Sequence, residues 1–305
     1  MSTPTSGPRV APRDRAQIPD VRAVQKMTGT LNELLESGNL EAAEIQAKRL
    51  REAYPDWGYA QVMGGLFDRL PPPGSQSGFA DDLRKEVQVV RRDGSDSVLL
   101  VFTGFKHELG FSLSVMHRWL GLLPASILYL RDFRSLFYLD GVPSLGRGVE
   151  STTRRLREIA ASLGGRRIFC CGCSGGLYAS LFYGLALGAE RVLALAGPAN
   201  LSPEFNAHLR SAGRVAHLWR TVPDAPVADL RRRYAEAERP PRVLLVYDRN
   251  NWDDRLHAEY MAGLPSVRLE PLAERGVHAV IAPLIVNGKF EATLSWLLQD
   301  RDPNP

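Results

Sequence analysis

The sequence predicts an α/β fold: a mostly parallel central sheet with helices on both faces, plus a small N-terminal helical segment. Three observations predict it. From about residue 85 short apolar runs alternate with helical stretches, the order a parallel sheet needs. One run, Val98-Leu99-Leu100-Val101-Phe102, is apolar at every position, as a strand covered on both faces requires. Further on, the apolar run ending at Cys171 passes through Gly172-Cys173-Ser174-Gly175-Gly176 into a stretch of small and apolar residues, a strand turning sharply into a helix.

Composition supports a globular chain and narrows its partners. Of 305 residues 44% are hydrophobic and 24% charged, enough apolar surface for a sizeable core. Net charge is +4, and 33 of the 38 basic residues are arginine. The 34 acidic residues are interspersed with them and no basic run has the length of a nucleic-acid tail, so no nucleic-acid partner is expected. Cys170, Cys171 and Cys173 fall within four residues, where strand neighbours point to opposite faces and cannot pair. They read as buried free thiols in a reducing compartment, with no metal site and no cofactor implied. Residues 1–20 lack the apolar stretch of a signal peptide, and no segment approaches the ~20 apolar residues of a membrane span. A cytoplasmic protein without a membrane partner is the expectation.

The elements follow in order. Residues 1–20, rich in Pro, Ser, Thr and Arg, read as a disordered tail. Over 21–70, Val24, Met27, Leu31, Leu34 and Leu35 recur at helical spacing, Gly38-Asn39 breaks the pattern, and a second helical stretch runs to Tyr54-Pro55. A third helix is expected over Tyr59–Leu70. The pattern Leu31, Leu34, Gly38-Asn39, Ala43, Ala47, Pro55 resembles one tetratricopeptide repeat of about 34 residues. A binding array needs about three repeats, so a helical cap is the simpler reading and a protein partner through 21–70 the alternative. Residues 71–84, opening on Pro71-Pro72-Pro73-Gly74-Ser75, form the linker to an α/β domain at 85–300. There, strands are expected at Glu86–Arg92 and Ser97–Thr103 around an Asp93-Gly94 hairpin-like turn, an antiparallel edge. Further strands are expected at Ile127–Leu130, Arg167–Cys171, Arg191–Ala196, Arg242–Tyr247 and Ser266–Leu269. The intervening helices are expected at Leu113–Leu122, Val149–Leu163, Gly175–Leu187, Asp254–Gly263 and Asn287–Leu298.

The chemistry centres on Ser174. In G-x-S-x-G the serine sits at the apex of a strained strand-to-helix turn. The flanking glycines keep side chains out of that turn, and the helix N-terminus favours the negative charge of an oxyanion. After Ser174 the histidines are His208, His217, His257 and His278. Only His278 lies in a loop after the last expected strand and before the last helix, where a general base must be to reach the serine. The acid should lie just past Val243–Tyr247. Asp248 ends that strand; Asp254 comes six residues later, with Asp253 beside it. Asp248 and Asp254 are the two candidates. One oxyanion donor is expected from the Gly175 amide. The other should come from Thr103-Gly104-Phe105-Lys106, where Gly104 permits close backbone approach and the Phe105 amide donates.

These segments, GCSGG at 172–176, FTGF at 102–105, the aspartates after VLLVY and GVH at 276–278, together resemble the α/β-hydrolase superfamily over about residues 85–300. The resemblance implies a serine hydrolase that cleaves a carboxylic ester or thioester through an acyl-enzyme on Ser174, on a small-molecule or carrier-bound acyl substrate. It also implies that residues 198–240 stand where many members carry a substrate-covering lid. One departure concerns the acid: the usual Gly-x-x-Asp is replaced by Tyr247-Asp248-Arg249-Asn250-Asn251-Trp252-Asp253-Asp254. Two rivals stand beside the hydrolase. An acyltransferase or thioesterase with a non-water acceptor would use the same triad. A catalytically silent scaffold would keep the fold for binding.

Overall fold

The computed structural model describes residues 21–72, 79–224, 229–274 and 276–299. The tail expected at 1–20 and residues 73–78 of the expected linker lie outside the described residues. The chain divides into two compact units, Met1–Leu70 and Pro71–Pro305.

The first unit holds α1 (Val21–Glu36), α2 (Leu40–Ala53) and α3 (Gly58–Asp68). The turn between α1 and α2 needs Gly38, whose φ is 72°, and Asn39 then caps α2 by accepting the Ala42 amide at 3.2 Å. Leu31, Ala43, Ala47, Leu50, Met63 and Leu66 are buried. Gly64 makes room for Arg51, which crosses from α2 to pair with Asp68 at the end of α3.

The second unit begins with β1 (Val87–Val90), β2 (Ser97–Phe102), α4 (Leu113–Leu120) and β3 (Ser126–Leu130). A small hairpin, β4 (Gly141–Val142) and β5 (Gly146–Arg147), precedes α5 (Val149–Ser162). Then come β6 (Arg167–Cys173), α6 (Gly175–Leu187) and β7 (Arg191–Leu195). The excursion folds as α7 (Pro203–Asn206), α8 (Ala212–Thr221) and α9 (Leu230–Glu236). The chain closes with β8 (Arg242–Asp248), α10 (Trp252–Tyr260), β9 (Val267–Leu272), α11 (Ile281–Val286) and α12 (Phe290–Leu298).

Seven strands form one sheet in the order β1-β3-β2-β6-β7-β8-β9, parallel except for β1. The expected hairpin between β1 and β2 does not form. A tight turn exists at Asp93-Gly94, with Gly94 at φ 75°, but β1 pairs antiparallel with β3, Val87 opposite Leu130. The reason is that β2 is buried at every position and both its edges are taken, by β3 and by β6. The antiparallel edge is therefore built by a crossing, held where the Arg92 guanidinium donates to the carbonyls of Gly121 and Leu123.

β2, β6, β7 and β8 are apolar runs buried on both faces, as a sheet covered by helices on each side demands. Leu100, Phe102, Leu128, Leu130, Leu177 and Tyr183 belong to one core. Each such side chain contributes about 1.5–3 kcal/mol on burial. The strand order reverses at β2: β3 lies on one side of it, β6 and the later strands run out on the other. That switch point leaves a crevice beyond the carboxyl ends of β2 and β6, where open α/β sheets hold their ligands.

Candidate functional site

Ser174 is the first residue after β6 and adopts φ 53°, ψ −126°, a conformation uncommon for a residue with a side chain. Close backbone contacts force it. A Cβ on Gly172 would stand 2.1 Å from the Gly176 carbonyl oxygen, and one on Gly176 would stand 2.2 Å from that of Phe102. Gly197, just past β7, is equally constrained, 2.2 Å from the Ser174 carbonyl oxygen. The Ser174 amide donates to the Leu195 and Ala196 carbonyls at 3.1 and 2.7 Å. The turn is thus pinned between the ends of β2 and β7, and only glycine fits at its flanks.

His278 lies in the loop between β9 and α11. Its Nε2 is 2.9 Å from Ser174 Oγ, and its Nδ1 is 2.9 Å from both carboxylate oxygens of Asp254. A carboxylate only accepts, so Nδ1 carries the proton and donates, leaving Nε2 to accept the Ser174 hydroxyl. Asp254 sits in the first turn of α10 with its side chain 4% exposed, while that of His278 is 44% exposed. Asn251 takes the N-cap, accepting the Asp254 amide at 3.3 Å, so the Asp254 carboxylate is free to face the histidine. The positive end of α10 favours its charge.

Asp248, the other candidate acid, is not the carboxylate at the histidine. It is fully buried, and its oxygens accept the amides of Asn250, Glu274 and Val277 at 3.0, 3.3 and 2.7 Å. It closes the base of the loop that carries His278, and its lone pairs are spent on backbone. Asp253 is engaged elsewhere: it accepts both the amide and Nε of Arg210, whose Nη2 donates to Asn251 at 2.9 Å.

The loop after β2 lies over the serine. A Cβ on Gly104 would stand 3.1 Å from Ser174 Cβ. The Gly104 amide donates to the Glu108 carbonyl at 2.9 Å, so it is not available to a ligand. Neither the Phe105 nor the Gly175 amide donates to another described group. The Phe105 ring fills the space above Gly175, where a Cβ would come within 2.6 Å of it, and meets Phe137 edge-on. These residues line a cleft of about 450 Å³ that opens onto Ser174 and His278. Cys173 also lines it, and burial pushes its thiol up to about 12, so it stays protonated.

Several polar and aromatic residues near the carboxyl end of β3 have partners away from the cleft. Arg131 is fully buried and pairs with Asp81. Arg134 pairs with Asp140, and Asp132 folds its own loop by accepting the amides of Arg134, Leu136 and Tyr138. Tyr138 is core, its hydroxyl bound to the Leu130 carbonyl. His107 and Trp252 are absent from the cleft wall, which does include Phe137. Conversely, Arg210, Arg214 and His257 line the cleft and were not singled out as ligand contacts. Nothing local marks the two arginines, since the excursion reads as an arginine-rich helical stretch, and His257 falls inside an expected helix.

His257 makes a stability prediction. It is 2% exposed, its Nδ1 accepts the Ala199 amide at 3.3 Å, and its ring packs on Phe205. Burial lowers its pKa to about 4. Between the ordinary value near 6.5 and 4 the unfolded chain binds a proton that the folded chain refuses. Its contribution is therefore complete above pH 6.5 and lost as pH falls to 4, an expected loss of about 3 kcal/mol. Thermal melts across that range should show a shallower acid slope for His257→Gln than for the unsubstituted protein; equal slopes would refute the assignment.

Among the described residues no group of His, Cys, Asp and Glu has metal-binding geometry, and no helix is long and apolar enough to cross a membrane. No protein-family profile and no curated protein matches the chain, and the tetratricopeptide resemblance of residues 21–70 is not confirmed. Solved structures do match. An alpha/beta hydrolase enzyme from a Medee basin deep-sea metagenome library superposes with TM-score 0.50 at 11% identity, over 72% of this chain and 96% of that one. An esterase of Pyrococcus furiosus gives 0.47 at 13% identity, over 75% and 96%. A capsule O-acetyltransferase of Neisseria meningitidis serogroup A gives 0.48 at 9% identity, over 69% and 91%.

Proposed function

We propose that this chain, which has the α/β-hydrolase fold, is a serine hydrolase that cleaves a carboxylic ester or thioester through an acyl-enzyme on Ser174. The observation that carries this reading is the unbroken hydrogen-bonded chain from Ser174 Oγ through His278 to Asp254, with the serine at a strained φ of 53° at the mouth of a cleft. A structural serine has no need of either the strain or the aligned base.

The steps follow from the geometry. As Ser174 Oγ attacks the carbonyl carbon, its proton passes to His278 Nε2, and Asp254 stabilises the imidazolium through Nδ1–H. The amides of Phe105 and Gly175, with the N-terminus of α6 behind them, receive the oxyanion. Collapse breaks the bond to the alcohol or thiol, which leaves with the proton from His278. Water then gives its proton to His278, attacks the acyl carbon and releases the acid, restoring Ser174.

A fluorophosphonate probe tests the reading. The wild-type protein should be labelled at Ser174, identified by peptide mass, and Ser174→Ala should not be labelled. No labelling of wild type, or equal labelling of the variant, would overturn it. Product analysis with and without an added alcohol identifies the acceptor as water or alcohol.

Arg210 carries a related prediction. It ties the excursion after β7 to the start of α10, through Asp253 and Asn251, next to the acid. Its side chain is largely in solvent, so its loss should cost little stability. Arg210→Ala is expected to lower kcat/KM about tenfold or more by loosening the seat of Asp254, with an unchanged melting temperature. Steady-state kinetics beside a thermal melt checks both.

A further inference from the structure

We infer that the cleft beside Ser174 takes an ester bearing an anionic group, a carboxylate or a phosphate, and that Arg214 receives that group. The inference deepens the reading of Ser174 as nucleophile and rests on it for the identity of the bond that is cut.

Arg214 projects from the first turn of α8, in the excursion that follows β7. Its guanidinium lies 4.2 Å from the centre of the Phe105 ring. Phe105 is also the residue whose backbone amide is assigned to the oxyanion, and its ring lies against Gly175. The cation therefore stands one ring's thickness above the loop that faces the reacting carbonyl. The ring face attracts the cation, and the guanidinium makes no hydrogen bond to another described group, which leaves its N–H donors for a carboxylate or phosphate.

The other charges of the cleft are committed differently. Among the described residues Arg214 makes no ion pair. Asp254 is held by His278 and Asp253 by Arg210. Lys106, on the same loop as Phe105, is exposed in the cleft wall and makes no described ion pair either. The lining's three cations, Lys106, Arg210 and Arg214, match its three carboxylates, Glu108, Asp253 and Asp254, in number, but among the described residues only Arg210 of the three cations is ion-paired. A cleft for neutral acyl chains has no use for a cation anchored on its ceiling. Elsewhere in this unit the inward-facing cation Arg131 has its own carboxylate, Asp81.

Paired esters test the inference. On the acyl side, p-nitrophenyl hemiglutarate is compared with neutral p-nitrophenyl valerate. On the alcohol side, 4-butyryloxybenzoate is compared with its methyl ester. The wild-type protein should prefer the anionic member of at least one pair by about tenfold or more in kcat/KM, the worth of one charged hydrogen bond. The arm that shows the preference identifies which side of the ester carries the anion. Arg214→Gln should bring that ratio close to one. Arg220→Gln, an exposed arginine at the far end of α8 and outside the cleft, should leave it in place. No preference in either arm, an unchanged ratio in Arg214→Gln, or an equal fall in Arg220→Gln would each overturn the anion site.

Binding separates this from the hydrolase reading. Calorimetry on Ser174→Ala with monomethyl glutarate and with 4-butyryloxybenzoate needs no turnover. Tighter binding than the neutral methyl esters, lost on adding Arg214→Gln, upholds the anion site even if the wild-type protein cleaves none of these esters. In that outcome the nucleophile reading fails alone. Equal binding of charged and neutral forms refutes the anion site while leaving the nucleophile to its own test.

Discussion

Ser174→Ala is expected to reduce kcat on an activated ester by about 10⁴–10⁶-fold. The size follows from the pathway. Without Oγ no acyl-enzyme forms, and the residual rate is what the oxyanion amides and bound water achieve alone. His278→Ala should cost nearly as much, and the double substitution scarcely more than either single one, because the two groups act in one proton transfer. Folding offers an independent check. Alanine inherits the strained φ of 53°, and loses only a half-exposed hydrogen bond to His278, so Ser174→Ala should melt close to the wild-type protein. Ser174→Gly should melt higher, because glycine occupies this backbone region at little cost. Retention of activity within tenfold of wild type in Ser174→Ala would remove the acyl-enzyme mechanism.

The parts of this site visible in the sequence are those fixed by neighbours in the chain. β6 and α6 read directly, because an apolar run and a run of small residues meet at glycines that nothing larger can replace. His278 was isolated by its position between the last strand and the closing helix. The hairpin expected at Asp93-Gly94 shows the limit of such signals: the turn is there, yet the strands on either side pair with different partners. Turn chemistry is local, whereas strand pairing is decided by which buried edges remain open. α11 escaped notice for a similar reason. Ile281–Val286 is a short apolar stretch with a proline inside it, and its helical form is set by packing, not by pattern. Arg214 and Arg210 gain their roles only when the excursion folds back beside the elbow.

The choice between the two acids yields the second large effect. Asp254→Asn is expected to lower kcat by about 10⁴-fold while leaving the melting temperature nearly unchanged. An amide at that position presents an N–H₂ as readily as a carbonyl to His278 Nδ1, which favours the wrong tautomer and removes the charge that steadies the imidazolium. Asp248→Asn should show a different balance. Asp248 is fully buried and accepts three backbone amides, from Asn250, Glu274 and Val277. An asparagine has one carbonyl oxygen for them, and its amide group meets donors where an acceptor is needed. Leaving a buried donor unsatisfied costs about 1–3 kcal/mol, so the melting temperature should fall by several degrees. Activity should fall too, through the displaced His278 loop, but by less than for Asp254→Asn. The sequence alone kept both residues open because each is an aspartate within seven positions of the same strand end. What separates them is where α10 begins. With Asn251 at the N-cap, Asp254 falls in the first helical turn, facing the histidine, while Asp248 stays on the strand beneath the loop. A pair of variants in which Asp248→Asn loses catalysis at full stability and Asp254→Asn loses stability at full activity would reverse the assignment.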